Sequence, residues 1–122
     1  MNVSVMLPFI AVAAGGAIGA VMRFCVYKTV DASFPWATVI VNITGCLIAS
    51  YLMFRYGVDM GDTLRTFLFV GIFGAFTTMS TFSIDMVNLL TAGSYTMAAV
   101  HFLLNSAVCV AAAFGGRYLA LL

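Results

Sequence analysis

Charge is scarce in this sequence, since only 7% of its 122 residues are Asp, Glu, Lys or Arg. A soluble domain typically carries about 25% charged residues, so this chain cannot cover its surface with charge. Its hydrophobic content of 64% and its mean hydropathy of +1.14 indicate an integral membrane protein instead. The near balance of five basic and four acidic residues excludes a nucleic-acid-binding surface.

Catalytic motifs and a disulfide framework are also missing. The sequence contains no nucleophile elbow, no phosphate-binding glycine loop, no metal-ligand set and no paired carboxylates, so we predict that the protein is not an enzyme. Its three cysteines, an odd number, lie within or beside apolar segments. That placement argues against disulfides, and we expect these residues to serve mainly in packing.

Uncharged runs divide the chain into four predicted membrane spans. Each run is close to or longer than the roughly 20 residues that cross the hydrocarbon core of a bilayer. We predict an all-α membrane protein with a single domain, residues 1–122. The predicted spans are residues 5–27, 34–54, 62–90 and 95–117.

The third span has an unusual composition at membrane depth. Residues 71–83 read GIFGAFTTMSTFS and contain two glycines and five Ser or Thr hydroxyls. Such residues are tolerated where the backbone is buried in protein or lines a hydrated path, so we predict a broken helix with its break near 74–79. The alternative is a kink whose hydroxyls bond back to the helix. Met79 and Phe82 are three residues apart, and the positive edge of an aromatic ring suits an anion path.

Two further polar patterns lie in the second and fourth spans. Thr38 and Asn42 share one face of the second span. Asn42 is either a hydrogen-bonding residue between helices or an uncharged donor for an anion. His101, Asn105 and Cys109 are spaced by four residues and form one stripe, which lines a path or packs against a neighbour.

The basic residues give little orientation signal. Arg23 and Lys28 flank the first connection, while three arginines fall on the opposite side of a four-span array: Arg55, Arg65 and Arg117. Because the positive-inside rule needs a clear excess on one side, we predict insertion in both orientations; a single topology set by the cell or a partner is the alternative. Arg23 either extends to the headgroups or attracts anions to a vestibule.

Three segments together resemble the CrcB/Fluc family of fluoride channels. They are residues 15–24 (GGAIGAVMRF), 36–45 (WATVIVNITG) and 71–83 (GIFGAFTTMSTFS), and the likeness extends over essentially the whole chain. The third segment is the most specific of them, whereas the first is weak alone because GxxxG patterns are common in packed membrane helices.

The resemblance implies an antiparallel, dual-topology homodimer with two fluoride pores, in the inner membrane of a bacterium. It implies a structural Na⁺ at the dimer centre, held by backbone carbonyls of Gly74 and Thr77 from both subunits. It also assigns Arg23 to a vestibule and implies passive export of fluoride. The implied ion pathway consists of Asn42, Met79, Ser80, Thr81, Phe82, His101, Asn105 and Cys109. The chain departs from the family at Met79, where members usually have Phe.

The main alternative is a small multidrug-resistance-type, proton-coupled cation exporter, which also has four spans and dual topology. Such an antiporter needs an acidic residue deep in a span. Asp85 is the only candidate, because the first, second and fourth spans contain no Asp or Glu. We expect Asp85 to be a solvated residue at a pore rim, which favours the channel.

Overall fold

The computed structural model describes residues 2–122, in which all regular elements are helices. The first two are α1 (Val3–Thr29) and α2 (Trp36–Tyr56). The third span comprises α3 (Asp62–Arg65), a π-helix (Thr66–Phe73), α4 (Gly74–Phe76) and α5 (Met79–Thr91). The fourth comprises α6 (Tyr95–Asn105) and α7 (Ala107–Ala120). The four spans are long and apolar enough to cross a membrane, and they begin and end within one turn of the predicted bounds.

Local chemistry accounts for where several helices begin and end. The Asn2 side chain accepts a hydrogen bond from the Ser4 amide at the start of α1, as N-cap residues do. Pro35 precedes the first residue of α2 and needs no amide partner there. Gly93, between α5 and α6, has a φ of 77°, a conformation that glycine adopts without steric cost.

The third span is interrupted between α4 and α5. Thr77 has φ −81° and ψ 158°, and Thr78 has φ −151° and ψ 117°, so both residues are extended. They lie within the interval where the sequence predicted a break. The Thr78 hydroxyl then caps α5 by accepting the Thr81 amide at 3.0 Å. The hydroxyl thus starts a new helix instead of bonding back to the previous one.

The fourth span is also interrupted, which the sequence analysis did not predict. Ser106, with φ −116° and ψ −81°, separates α6 from α7. Its hydroxyl donates to the Phe102 carbonyl at 2.6 Å. That carbonyl is the acceptor that the Ser106 amide would use in a continuous helix, and such back-bonding bends helices.

Helix α1 packs against the third span through glycines. A Cβ on Gly15 would overlap the Phe67 carbonyl oxygen, and one on Gly71 would come within 2.8 Å of the Gly15 Cα. A Cβ on Gly19 would likewise overlap the Ile72 carbonyl oxygen. Only glycines allow the two backbones to approach this closely, as in other membrane helices packed through GxxxG patterns.

Helix α2 runs parallel to the fourth span in a constant register. Asn42 contacts Asn105, and Ser50 donates to the Ala113 carbonyl at 2.5 Å; both pairs are 63 residues apart in sequence. Farther along, Arg55 donates to the Ala120 carbonyl. Successive turns of α2 therefore face successive turns of the fourth span. This register places Asn42 next to Asn105.

Candidate functional site

The side chain of Asn42 holds the break in the third span. Its Oδ1 accepts the Thr78 amide at 2.8 Å, and its Nδ2 donates to the Thr78 carbonyl at 3.1 Å. The same Nδ2 donates to Asn105 Oδ1 at 2.7 Å. Both Asn42 and Thr78 are buried, at 8% and 6% exposure. One uncharged side chain therefore joins the second, third and fourth spans at a single point.

This arrangement removes the usual helical donors from two carbonyls. In a continuous α-helix the Thr78 amide would donate to the Gly74 carbonyl, and the Thr81 amide to the Thr77 carbonyl. Here the Thr78 amide donates to Asn42 Oδ1, and the Thr81 amide donates to Thr78 Oγ1. The carbonyls of Gly74 and Thr77 are thereby available to another partner. Carbonyl oxygens are hard ligands, which suit a small cation.

From Asn105 the polar contacts continue to His101, whose side chain is fully buried. Asn105 Nδ2 donates to the His101 carbonyl at 2.9 Å and lies 3.2 Å from His101 Nδ1. His101 Nε2 lies 3.4 Å from Asp85 Oδ2, without a hydrogen bond of good geometry. The ring of Phe82 lies beside the imidazole, with centroids 5.3 Å apart. The structure thus joins His101, Asn105 and Phe82 in one polar and aromatic cluster.

Asp85 lines a cleft of about 210 Å³ beside the connection between α1 and α2, but it is less solvated than expected for a rim residue. Its side chain is only 19% exposed, and its Oδ2 accepts the Thr38 hydroxyl at 2.6 Å. Because that hydroxyl proton is used there, the 2.6 Å contact between Tyr27 and Thr38 has the tyrosine as donor. The carboxylate is stabilised by α2 and lies next to buried His101, which explains how it is accommodated inside the bundle.

A cavity of about 200 Å³, which we call the amide cavity, adjoins the Asn42 cluster. It is lined by Asn42, Cys46, Thr77, Thr78, Met79, Phe82, Asn105 and Cys109. Met79 is 71% exposed at its edge. The structure therefore brings together five of the predicted pathway residues, from three different spans, around one space without a charged side chain in its lining.

A second cavity of about 420 Å³, the arginine cavity, contains the predicted vestibule residue. It is lined by Ala20, Arg23, Phe24, Tyr27 and Thr81. Within residues 2–122 Arg23 forms no ion pair. The Thr78 hydroxyl, which belongs to the amide cavity, donates to Thr81 Oγ1 at 3.1 Å and so links the two cavities. The Thr81 hydroxyl proton remains available for a further acceptor.

The remaining predicted residues lie outside these two linings. Ser80 is exposed, with its hydroxyl 3.2 Å from Thr78 Oγ1. His101 lies behind the amide cavity and contacts it through Asn105 and Phe82. Gly74 is exposed and lines another cleft of about 220 Å³ together with Thr77. The predicted residues therefore do not form one continuous tube within a single chain.

Sequence reasoning missed three residues of this site. Thr38 was placed on the same face as Asn42 but was given no role. Tyr27 and Cys46 were treated as an end of a span and a packing residue. The spacing of Thr38, Asn42 and Cys46 by four residues is the signal that would have found Thr38 and Cys46, since it repeats the His101, Asn105 and Cys109 stripe of the facing span. No such spacing marks Tyr27.

Comparison with known proteins identifies the family. The model of the family described as "CrcB-like protein, Camphor Resistance (CrcB)" matches residues 10–117. A protein of Idiomarina loihiensis named "Fluoride-specific ion channel FluC" is 40% identical over 121 residues, covering 95% of this chain and 94% of the relative. A protein of the same name from Magnetococcus marinus is 40% identical over 86% of this chain and 90% of its own length. A third protein of this name, from Coxiella burnetii, is 36% identical over 93% of this chain and 94% of its own length.

These findings confirm the resemblance drawn from the three sequence segments. The relatives are named as ion channels, which are not enzymes, so the prediction that this protein has no enzymatic activity is also confirmed. The four apolar helices and the relatives together identify a multi-pass membrane protein. The matches cover nearly the whole chain, and the protein therefore belongs to the CrcB family.

Proposed function

We propose that the protein is a fluoride-selective channel that lets fluoride leave the cytoplasm passively. Fluoride enters cells as a neutral weak acid, dissociates and would be trapped without a conduit. The names of the relatives support this function. The observation that carries it furthest is the attachment of Asn42 to the extended Thr78 backbone, because it builds an uncharged polar lining at the break of a membrane span.

The electrostatics of the two cavities suit a small anion. The unpaired guanidinium of Arg23 attracts anions to the arginine cavity, where the free Thr81 hydroxyl proton offers a first donor. From there the ion would pass the hydroxyls of Ser80 and Thr78 to the amide cavity. Fluoride is strongly hydrated, so donors must replace its water. Neutral donors do so without the tight grip of a full positive charge.

The exporter alternative is less compatible with this site. Asp85 accepts the Thr38 hydroxyl and lies beside His101 Nε2. An acid of a proton-coupled exporter must exchange protons for a cationic substrate, whereas this carboxylate is occupied by its protein neighbours. The relatives are named as channels specific for fluoride, and no observation favours cation transport.

A fluoride-efflux assay tests the function directly. Purified protein in liposomes loaded with potassium fluoride should release fluoride to a fluoride electrode when a potassium ionophore removes the opposing potential. Liposomes loaded with potassium chloride serve as the selectivity control and should release little chloride. Fluoride release no faster than from protein-free liposomes would contradict the proposal, and so would coupled uptake of an organic cation.

We further propose an antiparallel, dual-topology homodimer with two pores in a bacterial inner membrane. The two-against-three distribution of basic residues gives either orientation little advantage, and the relatives come from bacteria. A reporter fused to the C-terminus should be reached from both sides of the membrane in intact cells and in inverted vesicles. Access from one side only would contradict dual insertion.

Sodium at the dimer centre fits the carbonyls described above. Gly74 and Thr77 each have a carbonyl whose helical donor is engaged elsewhere, and two subunits would contribute four such oxygens. Carbonyl oxygens are suitable ligands for a hard cation. When bound, Na⁺ would supply positive charge that holds the two third spans together. The Asn42–Thr78 and Thr78–Thr81 contacts keep these carbonyls free of helical donors.

Gly74→Ala tests the central site. A Cβ at this position would meet only the Phe69 carbonyl oxygen, at an ordinary 3.5 Å, so the single chain should fold normally. We expect slower fluoride efflux and a need for several-fold more sodium, because the methyl group crowds the ion and the partner. Gly61→Ala, where a Cβ meets nothing within 4 Å, is the matched control. Full activity of wild-type protein after thorough sodium depletion would argue against the site.

A further inference from the structure

We propose that Cys46 and Cys109 form a two-thiol site for the mercuric ion inside the amide cavity. Neither residue takes part in the hydrogen bonds that hold the break in the third span; the Cys109 thiol donates to the Leu104 carbonyl at 3.4 Å. The proposal concerns a soft metal ion that coordinates sulfur. It depends on the proposed channel function only for its effect on fluoride flux, not for binding.

The helix register brings the two thiols face to face. Cys46 lies one turn beyond Asn42 in α2, and Cys109 lies one turn beyond Asn105 in α7. The Asn42–Asn105 and Ser50–Ala113 contacts on either side have a separation of 63 residues, and Cys46 and Cys109 have the same separation. Both cysteines line the amide cavity, from facing turns of α2 and α7.

The surroundings favour a soft, two-coordinate metal ion over other metals. Residues 2–122 contain no group of three or more His, Cys, Asp or Glu side chains that could hold a metal. Structural zinc needs four ligands, so two thiols are too few for it. Mercuric ion binds two thiolates in a linear arrangement, and soft sulfur ligands select soft metals. The Met79 thioether lines the same cavity and adds a third soft atom.

Charge balance also selects a divalent ion. Binding breaks two S–H bonds, forms two S–Hg bonds and releases two protons to water, with no change in oxidation state. The bis-thiolate complex of Hg²⁺ is neutral. A neutral complex avoids the cost of a permanently buried net charge, and Cys109 is only 6% exposed. A monovalent ion with two thiolates would leave a negative charge there.

Titration with mercuric chloride tests the site in purified full-length protein. The ultraviolet charge-transfer absorption of mercury–thiolate bonds reports binding, and mass spectrometry reports stoichiometry. We expect one tightly held Hg²⁺ per chain that engages both thiols. Cys46→Ser and Cys109→Ser should each weaken this binding by roughly a hundredfold or more, because the advantage of two tethered ligands is lost. Cys25→Ser removes an exposed thiol of α1 and should leave the two-thiol site unchanged.

Zinc chloride is the matched metal control and should not compete at equal concentration. Tight binding that survives either Cys46→Ser or Cys109→Ser, or that disappears with Cys25→Ser, would overturn the proposal. In the fluoride assay we expect mercuric chloride to block wild-type flux and dithiothreitol to restore it. The flux of the Cys46→Ser/Cys109→Ser double variant, measured against the same variant without mercury, should not fall further when mercuric chloride is added. Two-thiol binding without block would retain the metal site but place it off the conduction path. If the unmodified protein conducts no fluoride, the channel function fails while the titration still decides the site.

Discussion

Asn42→Asp is expected to lower fluoride efflux by about a thousandfold. A carboxylate about 4 Å from a passing anion repels it by about 4 kcal/mol at an effective dielectric constant of about 20, which is about three powers of ten in rate. The substitution also removes the Nδ2 donor that serves the Thr78 carbonyl and Asn105 Oδ1. Each buried acceptor left without a donor costs about 1–3 kcal/mol, so the variant should also be less stable.

The measurement is fluoride efflux from liposomes, restricted to protein that elutes in mild detergent as a single peak at the wild-type position. Asn88→Asp is the matched control, since it makes the same chemical change at an exposed position of α5. That variant should retain wild-type stability and flux. Wild-type efflux from folded, dimeric Asn42→Asp protein would remove Asn42 from the pathway.

Gly19→Ala is expected to impair folding strongly. The added Cβ would overlap the Ile72 carbonyl oxygen and lie 2.9 Å from the Ile72 carbonyl carbon. Both are backbone atoms, so no side-chain rotation can relieve the overlap, and α1 must move away from the π-helix. Overpacking in cores usually costs about 1–3 kcal/mol, and we expect a cost at or above the upper end. The consequence should be a strongly reduced yield of monodisperse protein.

Gly16→Ala provides the comparison, because a Cβ there would meet nothing within 4 Å. Alanine is the better helix former by about 1 kcal/mol, so this variant should be unchanged or slightly more stable. The test is to compare the midpoints of thermal unfolding of both variants in the same detergent. Equal midpoints for Gly16→Ala and Gly19→Ala would show that α1 does not pack closely against the third span.

The candidate site was partly predictable from residue types. Asn42 and Asn105 stand out because polar side chains at membrane depth are costly unless they have polar partners or a function. Together with Phe82, they line one cavity with Met79 and Cys109. Asp85 was only partly predictable. Its position near the end of a span suggested a solvated rim, but the hydroxyl of Thr38, 47 residues away in sequence, stabilises the carboxylate inside the bundle.

The interruption at Ser106 was also not predictable, although the residues involved are only four apart in sequence. A serine in an apolar helix is compatible with a continuous span or with a bend, and its choice of acceptor decides between them. In the structure the hydroxyl takes the Phe102 carbonyl. The sequence shows that a hydroxyl able to bond the Phe102 carbonyl is present, but not that this bond replaces the helical one.

The number of spans and the family could be read from the order of residue types alone. Hydropathy and backbone preference depend on residues that are adjacent in sequence, so spans can be predicted without knowing the fold. Only the tertiary structure decided which side chains meet. The contacts of Asn42 with Thr78 and Asn105 join residues 36 and 63 apart. Such pairs depend on the rotation and register of packed helices, and composition does not contain that information.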